Sequence, residues 1–592
     1  MSATAATQPA TARPRVAVSV DAVALAGLAI VTLILAAAAW GTWGDLDSDT
    51  GFDILAGARV ADGEVPYRDF TYYYGPLAPG LTGLLAWIGL GGLGPTVALG
   101  LVVALLIVLA TYALARTLVD PLGAFLAAAI TAAVAFTPNN YSYVLPHTFA
   151  ATLGTLLLLA FLLCLSRFAA ASGDRWLVAA GVSAGLVTLT KPEASLAALA
   201  AGATWLLLRR RAGGRAARDV VWLAGPALLI PAAVYGAFLT AVSPHTLVLE
   251  NLYPVDELAA GGDTLVRARM PLTVEGIATL GAKFLLYAAG AAILVLFAGA
   301  IGRGGRIRTA ALATVALGGV LLVAIAAVKP DGLRDGFYYA WGWIPIGALA
   351  AVGVALVRFR RRGAAGWSAS GQMQLAAGVA LAVVAATSFA FTLHGWRPQM
   401  SVYYAPLAAI LVCRLHLVEL ARGRIAYRLG VAWVVFLAAG GLFLALREAD
   451  GERVSVRGPG GTLAETPAEG VAYQRALAEI EAHTRPGEPI FLSPLMTGLY
   501  VLAERESPLP VISSMPTALP TAADERAAVD RLQEAGVRLA ITDSRPWPGY
   551  GHDAFGESFQ RRIAAWLERD FERRATLPVT AERSLTVWVR PA

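Results

Sequence analysis

The chain has 592 residues, 57% of them hydrophobic, with a mean hydropathy of +0.61. Its apolar runs near 20 residues recur too often for a soluble core, which excludes an ordinary cytosolic domain and points to a polytopic membrane protein. A formal charge of +6 makes no case for nucleic acid as a partner, and two cysteines, Cys164 and Cys413, exclude a disulfide framework or a cysteine metal site.

Residues 1–20 are rich in Ala, Thr and Pro and read as a disordered cytoplasmic tail. The apolar run that follows lacks an obvious cleavage site and reads as an uncleaved first helix. Spans are expected at about 21–40, 94–113, 121–137, 147–166, 175–190, 194–208, 220–242, 280–301, 310–328, 338–357, 373–392, 403–421 and 429–447, about thirteen in all. The stretch 80–92 is a candidate half-inserted helix.

Arginine sets the orientation. One set of alternate connections holds Arg116, Arg167 with Arg175, Arg209 to Arg211, Arg303 to Arg308, Arg358 to Arg362, and Arg422 to Arg428, and these face the cytoplasm by the positive-inside rule. The other set holds the first loop, 41–80, with Asn139-Asn140-Tyr141, segment 243–279, Lys329 to Asp335 and His394 to Tyr404. An odd span count puts the tail on that outer side as well. The transmembrane domain is therefore drawn at 21–447 and an extracytoplasmic α/β domain at 448–592. In the latter, strand-length apolar stretches (Pro489–Leu492, Arg538–Thr542, Ser584–Val589) alternate with helix-period segments near Tyr473–His483, Ala523–Glu534 and Phe559–Phe571.

The first outer loop is the most polar part of the membrane half. It reads Asp45-Leu46-Asp47-Ser48-Asp49-Thr50-Gly51-Phe52-Asp53, and several carboxylates beside a membrane are costly unless they meet water or do chemistry. A helix over 51–62 would put Phe52, Leu55, Ala56 and Arg59 on one face along the membrane surface, with Asp49 at its start. Then follow Gly63-x-x-Pro66-Tyr67-Arg68-Asp69-Phe70 and Tyr72-Tyr73-Tyr74.

The loop aspartate, the surface helix, the Gly63-to-Phe70 text, the many-span layout and the outer α/β tail together resemble the GT-C superfamily of membrane glycosyltransferases, especially family 39. That branch contains the protein O-mannosyltransferases and the bacterial aminoarabinose transferase. In that family the loop Asp is usually followed by Glu, whereas here Thr50 follows Asp49. The resemblance implies a sugar carried on a polyprenyl phosphate and transferred, with inversion, to a hydroxyl of a lipid, glycan or protein acceptor at the outer face of the plasma or inner membrane.

Such chemistry needs a carboxylate to receive the hydroxyl proton and cations to hold the departing phosphate. Asp49 is the candidate base and Asp47 the alternative, while Asp45 and Asp53 read as solvated or structural. A competing role for Asp49 is the helix N-cap. Tyr67, Arg68 and Tyr74 are candidate groove residues, with interface anchoring as the plainer role for the tyrosines.

The three lysines, Lys191, Lys283 and Lys329, all fall at outer ends of spans, against the positive-inside trend. Lys191-Pro192-Glu193 and Lys329-Pro330-Asp331 each end a span with an ammonium near the headgroups, suited to a lipid phosphate; the first also resembles a turn of the family. The alternatives are pairing of Lys191 with Glu193, or snorkelling. Arg397 is a further phosphate candidate, as are Arg267, Arg269 and Arg334. His147 reads as a hydrogen-bonding loop residue, with a divalent cation shared with the loop carboxylates as the second option. The rival functions are a transporter or lipid flippase, which would place ionisable groups near the midplane, and a GT-C-like scaffold without catalysis.

Overall fold

The structure is a computed structural model that describes residues 19–46, 49–138, 141–171, 173–213, 216–251, 305–329, 343–362, 368–392, 404–421 and 423–591, with isolated positions at 297, 300, 334, 337, 340 and 341. Residues 1–18 of the N-terminal tail, most of the span at 280–301, Asp47, Asn139-Asn140, Arg267, Arg269, Lys283, Asp331, His394 and Arg397 lie outside the described residues.

The membrane half is helical: α1 (Val20–Ala38), α2 (Phe52–Ala61), α3 (Leu77–Trp87), α4 (Leu93–Ala115), α5 (Pro121–Ala135), α6 (Phe149–Ala171), α7 (Asp174–Val187), α8 (Pro192–Arg211), α9 (Ala216–Phe238) and α10 (Pro244–Asn251). After the gap come α11 (Gly305–Val328), α12 (Trp343–Arg362), α13 (Ala369–Thr392), α14 (Ala405–Arg414), continued by a π-turn at Leu415–Glu419, and α15 (Arg424–Ala449). Six of them, α1, α4, α6, α9, α12 and α15, are long and apolar enough to cross a membrane. Their ends carry ordinary signals. The Ser19 side chain accepts from Ala22 N at 3.1 Å, Asp120 accepts from Gly123 N at 2.8 Å with Pro121 in the first turn, and Pro192 opens α8, where a missing N–H costs nothing.

Helix α5 is central. It packs against α1, α4, α14 and α15, and Ala124, Ala127, Ala128 and Ala132 are wholly buried, because small side chains let helix backbones approach where lipid provides no hydrophobic drive.

Beyond α15 the chain forms the hairpin β1 (Val454–Gly458) and β2 (Gly461–Glu465), then α16 (Pro467–His483), β3 (Phe491–Ser493), α17 (Thr497–Ala503), α18 (Ala522–Glu534), β4 (Leu539–Asp543), α19 (Arg561–Asp570), β5 (Glu572–Pro578) and β6 (Ser584–Val589). The sheet order is β3-β4-β6-β5, with β3 and β4 parallel and the other pairs antiparallel. Strand alternation divides it into two faces. Leu539 and Ile541 join a cluster with Tyr473, Leu477 and Ile480 of α16, while Phe491, Ala540 and Trp588 join Leu532 of α18 and Ile563 and Trp566 of α19.

The expected fold class, a polytopic helical membrane protein with a C-terminal α/β region, is what the structure shows. The hairpin, α17 and β5 had no sequence expectation. The expected surface helix is corrected in its setting: α2 forms, but Phe52 and Ala56 are buried by protein, with Phe52 stacked 5.2 Å from Tyr72, and Arg59 bonds Glu64 and the Leu509 carbonyl. Aromatic residues of the same loop cover the face that was expected to lie on lipid.

Candidate active site at the first loop

Asp49 opens a 3-10 turn, Asp49–Gly51, ahead of α2. The N-cap of α2 is Gly51, with no side-chain cap, so the capping role considered for Asp49 does not hold. Asp49 is half-buried. Thr50 is 3% exposed, and its hydroxyl accepts from Asp45 N at 2.7 Å, closing the loop on itself. Gly44 stands in the left-handed region at φ +92°, and a Cβ there would come within 2.8 Å of the Thr50 methyl.

Asp53 is buried, as its structural reading required, and it does a definite job. Tyr72 Oη donates to Oδ1 at 2.5 Å and Phe149 N donates to Oδ2 at 2.5 Å, so a carboxylate on α2 serves the open N-terminus of α6. Burial raises its pKa above the ordinary 3.8, against the opposing effects of Tyr72, Phe149 N, Thr148 and Lys191.

Lys191 precedes α8 and is held by backbone. Gly75 N donates to Thr190 O at 2.7 Å and Leu77 N to Leu189 O at 3.0 Å, and a Cβ on Gly75 would sit 2.3 Å from the Leu189 carbonyl carbon. This junction sets Lys191 Nζ 4.5 Å from the centroid of the Tyr74 ring. Burial works against the ammonium, but Tyr74, Glu193, Asp49 and Asp53 outweigh it and hold the pKa above 10.5. Lys191 and Glu193 border a small, mostly apolar gap of about 10 Å³ with Ala151, Thr155, Leu158 and Val384. His147 stacks 5.5 Å from Tyr141, and burial, then the Lys191 charge, depress its pKa well below 6.5.

The structure thus brings Asp49, Asp53, His147, Lys191, Glu193 and Tyr74 together. Tyr67 is 5% exposed and donates to the Tyr74 carbonyl at 2.5 Å, which makes it a strut of the loop. Arg68 points to solvent and pairs with Asp69 at 2.7 Å. Lys329 is exposed at the end of α11. Among the described residues no group of three or more His, Cys, Asp or Glu side chains is arranged for a metal ion, and Asp53, the most enclosed loop carboxylate, is already occupied by Tyr72 and α6.

Two supporting residues had no sequence signal. Leu46 N donates to Glu465 Oε1 at 2.6 Å and Gly51 N to Thr497 Oγ1 at 3.2 Å, contacts that span more than 400 residues of chain.

No curated protein matches the chain. The oligosaccharyltransferase of Archaeoglobus fulgidus, in a complex with Zn and sulfate, is similar at 15% identity and a TM-score of 0.46, over 88% of this chain and 68% of that one. The same oligosaccharyltransferase, AglB, with an inhibitory peptide and a dolichol-phosphate, gives the same identity and TM-score over 88% and 69%. ArnT from Cupriavidus metallidurans, bound to undecaprenyl phosphate, is 12% identical with a TM-score of 0.39 over 95% of this chain and 97% of that one. Residues 76–238 match the family described as dolichyl-phosphate-mannose-protein mannosyltransferase. The family match bears out the resemblance read from the sequence, and the matched segment includes His147, Lys191 and Glu193.

Proposed function

We propose that the protein transfers a sugar from a polyprenyl-phosphate donor to an acceptor hydroxyl at the outer face of the membrane, with inversion. The observation that carries this reading is the setting of Lys191: an ammonium beside a small apolar gap between helices, within electrostatic reach of the half-buried Asp49. A charged phosphate with an isoprenoid tail asks for that combination of a cation and an apolar wall. The family match over 76–238 supports the same donor class.

An acceptor hydroxyl has a pKa far above neutrality, so Asp49 cannot deprotonate it beforehand. It takes the proton as the bond to the anomeric carbon forms, while the electron pair of the breaking bond passes to the phosphate oxygen. Lys191 balances the charge that builds up there. Asp53, tied to Tyr72 and Phe149, is a support for the loop.

Asp49→Asn tests the assignment, because Asn keeps the shape and removes the basic oxygen. Turnover is read as release of polyprenyl phosphate from the host's own polyprenyl-phosphate sugars in native membranes. A loss of roughly a hundredfold, with lipid binding retained, is the expected result. Full turnover in Asp49→Asn beside an inactive Asp47→Asn moves the base to Asp47, full turnover in both variants overturns the assignment of the base to either residue, and no turnover in the wild type favours the scaffold reading.

A further inference from the structure

The acidic loop is held from outside the membrane half. Leu46, Gly51, Arg59 and Thr71 of the first loop bond to Glu465, Thr497, Leu509 and Pro510 of the C-terminal region, at 2.6, 3.2, 3.0 and 2.9 Å. The first two bonds bracket Asp49. Glu465 ends β2 and is 4% exposed; Thr497 opens α17 and is 1% exposed. Backbone meets backbone between them. A Cβ on Gly51 would lie 2.3 Å from the Thr497 carbonyl oxygen, and one on Gly498 would lie 3.2 Å from Leu46 Cα. Thr50 closes the loop from within through its bond to Asp45 N, which by itself ties the turn to no other element.

Loops at the surface are easily displaced, and a reacting group must be held within a fraction of an ångström. We propose, on the reading of Asp49 as the base, that Glu465 and Thr497 are positioning residues that fix the Asp49 turn, so that the C-terminal α/β region completes the active site. Each removes an orphan from the loop backbone: without its acceptor, the buried N–H of Leu46 or Gly51 would seek another partner and carry the turn with it.

The test is a kcat-against-KM split with rescue, on the full chain in native membranes, with the host's polyprenyl-phosphate sugars as donor. Thr497→Val keeps the shape and removes the acceptor; Thr497→Ser restores it. Glu465→Leu and Glu465→Gln form the second pair. Valine and leucine are expected to lower kcat about tenfold or more at unchanged donor KM, the scale of a small misplacement, while serine and glutamine return most of it. Amide exchange over residues 44–53 should quicken in the impaired variants alone. Wild-type kcat in Thr497→Val and Glu465→Leu, beside an inactive Asp49→Asn, overturns the positioning role and leaves the base assignment standing. Equal impairment of the serine and valine variants overturns it too, since the acceptor atom would then not matter. An active Asp49→Asn fails the underlying reading instead.

Discussion

The two ends of the helical bundle hold their buried carboxylates, Glu419 and Asp53, in different ways. At the arginine end, guanidiniums meet carboxylates directly. Arg414 and Arg358 both bond the buried Glu419, Arg414 also reaches the Leu118 carbonyl at 2.6 Å, Arg116 pairs with Asp21 at 2.7 Å, and Arg209 pairs with Asp219. At the other end Asp53 is held by a tyrosine and a helix N-terminus, and one lysine lies among Asp49, Asp53 and Glu193. An arginine presents a rigid fork that fixes a carboxylate in place, whereas an ammonium is a compact point charge on a flexible stem. The first end anchors the bundle and the second is suited to exchange partners with a substrate.

The sharpest way to break this contrast is Arg414→Met. It strips Glu419 of one of two guanidiniums and frees the Leu118 carbonyl, and should cost about 3 kcal/mol of stability, read as a lowered unfolding midpoint in detergent. Binding of polyprenyl phosphate at the far end should be unchanged; a weakened affinity would show that the two ends are not independent.

Asp53→Leu is next. Tyr72 Oη and Phe149 N lose their acceptor, and a cost of about 2 kcal/mol is expected, with turnover falling only as far as folded protein is lost. A turnover defect in fully folded Asp53→Leu would move Asp53 from support to chemistry.

Lys191→Met should weaken polyprenyl phosphate binding about tenfold in reconstituted membranes while the protein stays folded. Since the Lys191 pKa is held above 10.5, wild-type binding should show no loss attributable to this group as pH rises from 7 to 9. Unchanged affinity in Lys191→Met returns the residue to pairing with Glu193.

The smallest expected effect is a pH dependence at His147. Its folded pKa is depressed, so the unfolded chain binds a proton near pH 6.5 that the folded chain refuses. The stability this contributes is present above pH 6.5 and is lost as pH falls toward the folded pKa. His147→Gln should flatten that part of the unfolding-midpoint profile between pH 6.5 and 5; an unaltered slope would count against an enclosed neutral imidazole.

Much of the site was legible locally. Lys191-Pro192-Glu193 stood out because lysine is so rare in the chain and proline must open the next helix, and α8 begins there. Asp49 stood out among the acidic loop residues, but its setting did not: a cap was the plain reading, whereas the N-cap falls on Gly51, against which the Thr497 backbone packs. The lipid-facing side expected for α2 failed for a similar cause, since the aromatic face that periodicity detects can be covered by tyrosines 20 residues on as readily as by lipid.

The sequence by itself determined the membrane class, the helices and the α/β character of the tail, because apolar length, arginine placement and strand or helix periodicity are properties of neighbouring residues. Only the tertiary structure decided that Asp53 serves α6, that Lys191 lies among three carboxylates, and that Glu465 and Thr497 reach the first loop. Hydrogen bonds and Coulomb interactions act over a few ångströms of space regardless of chain separation, and partners more than 400 residues apart leave no local pattern to read.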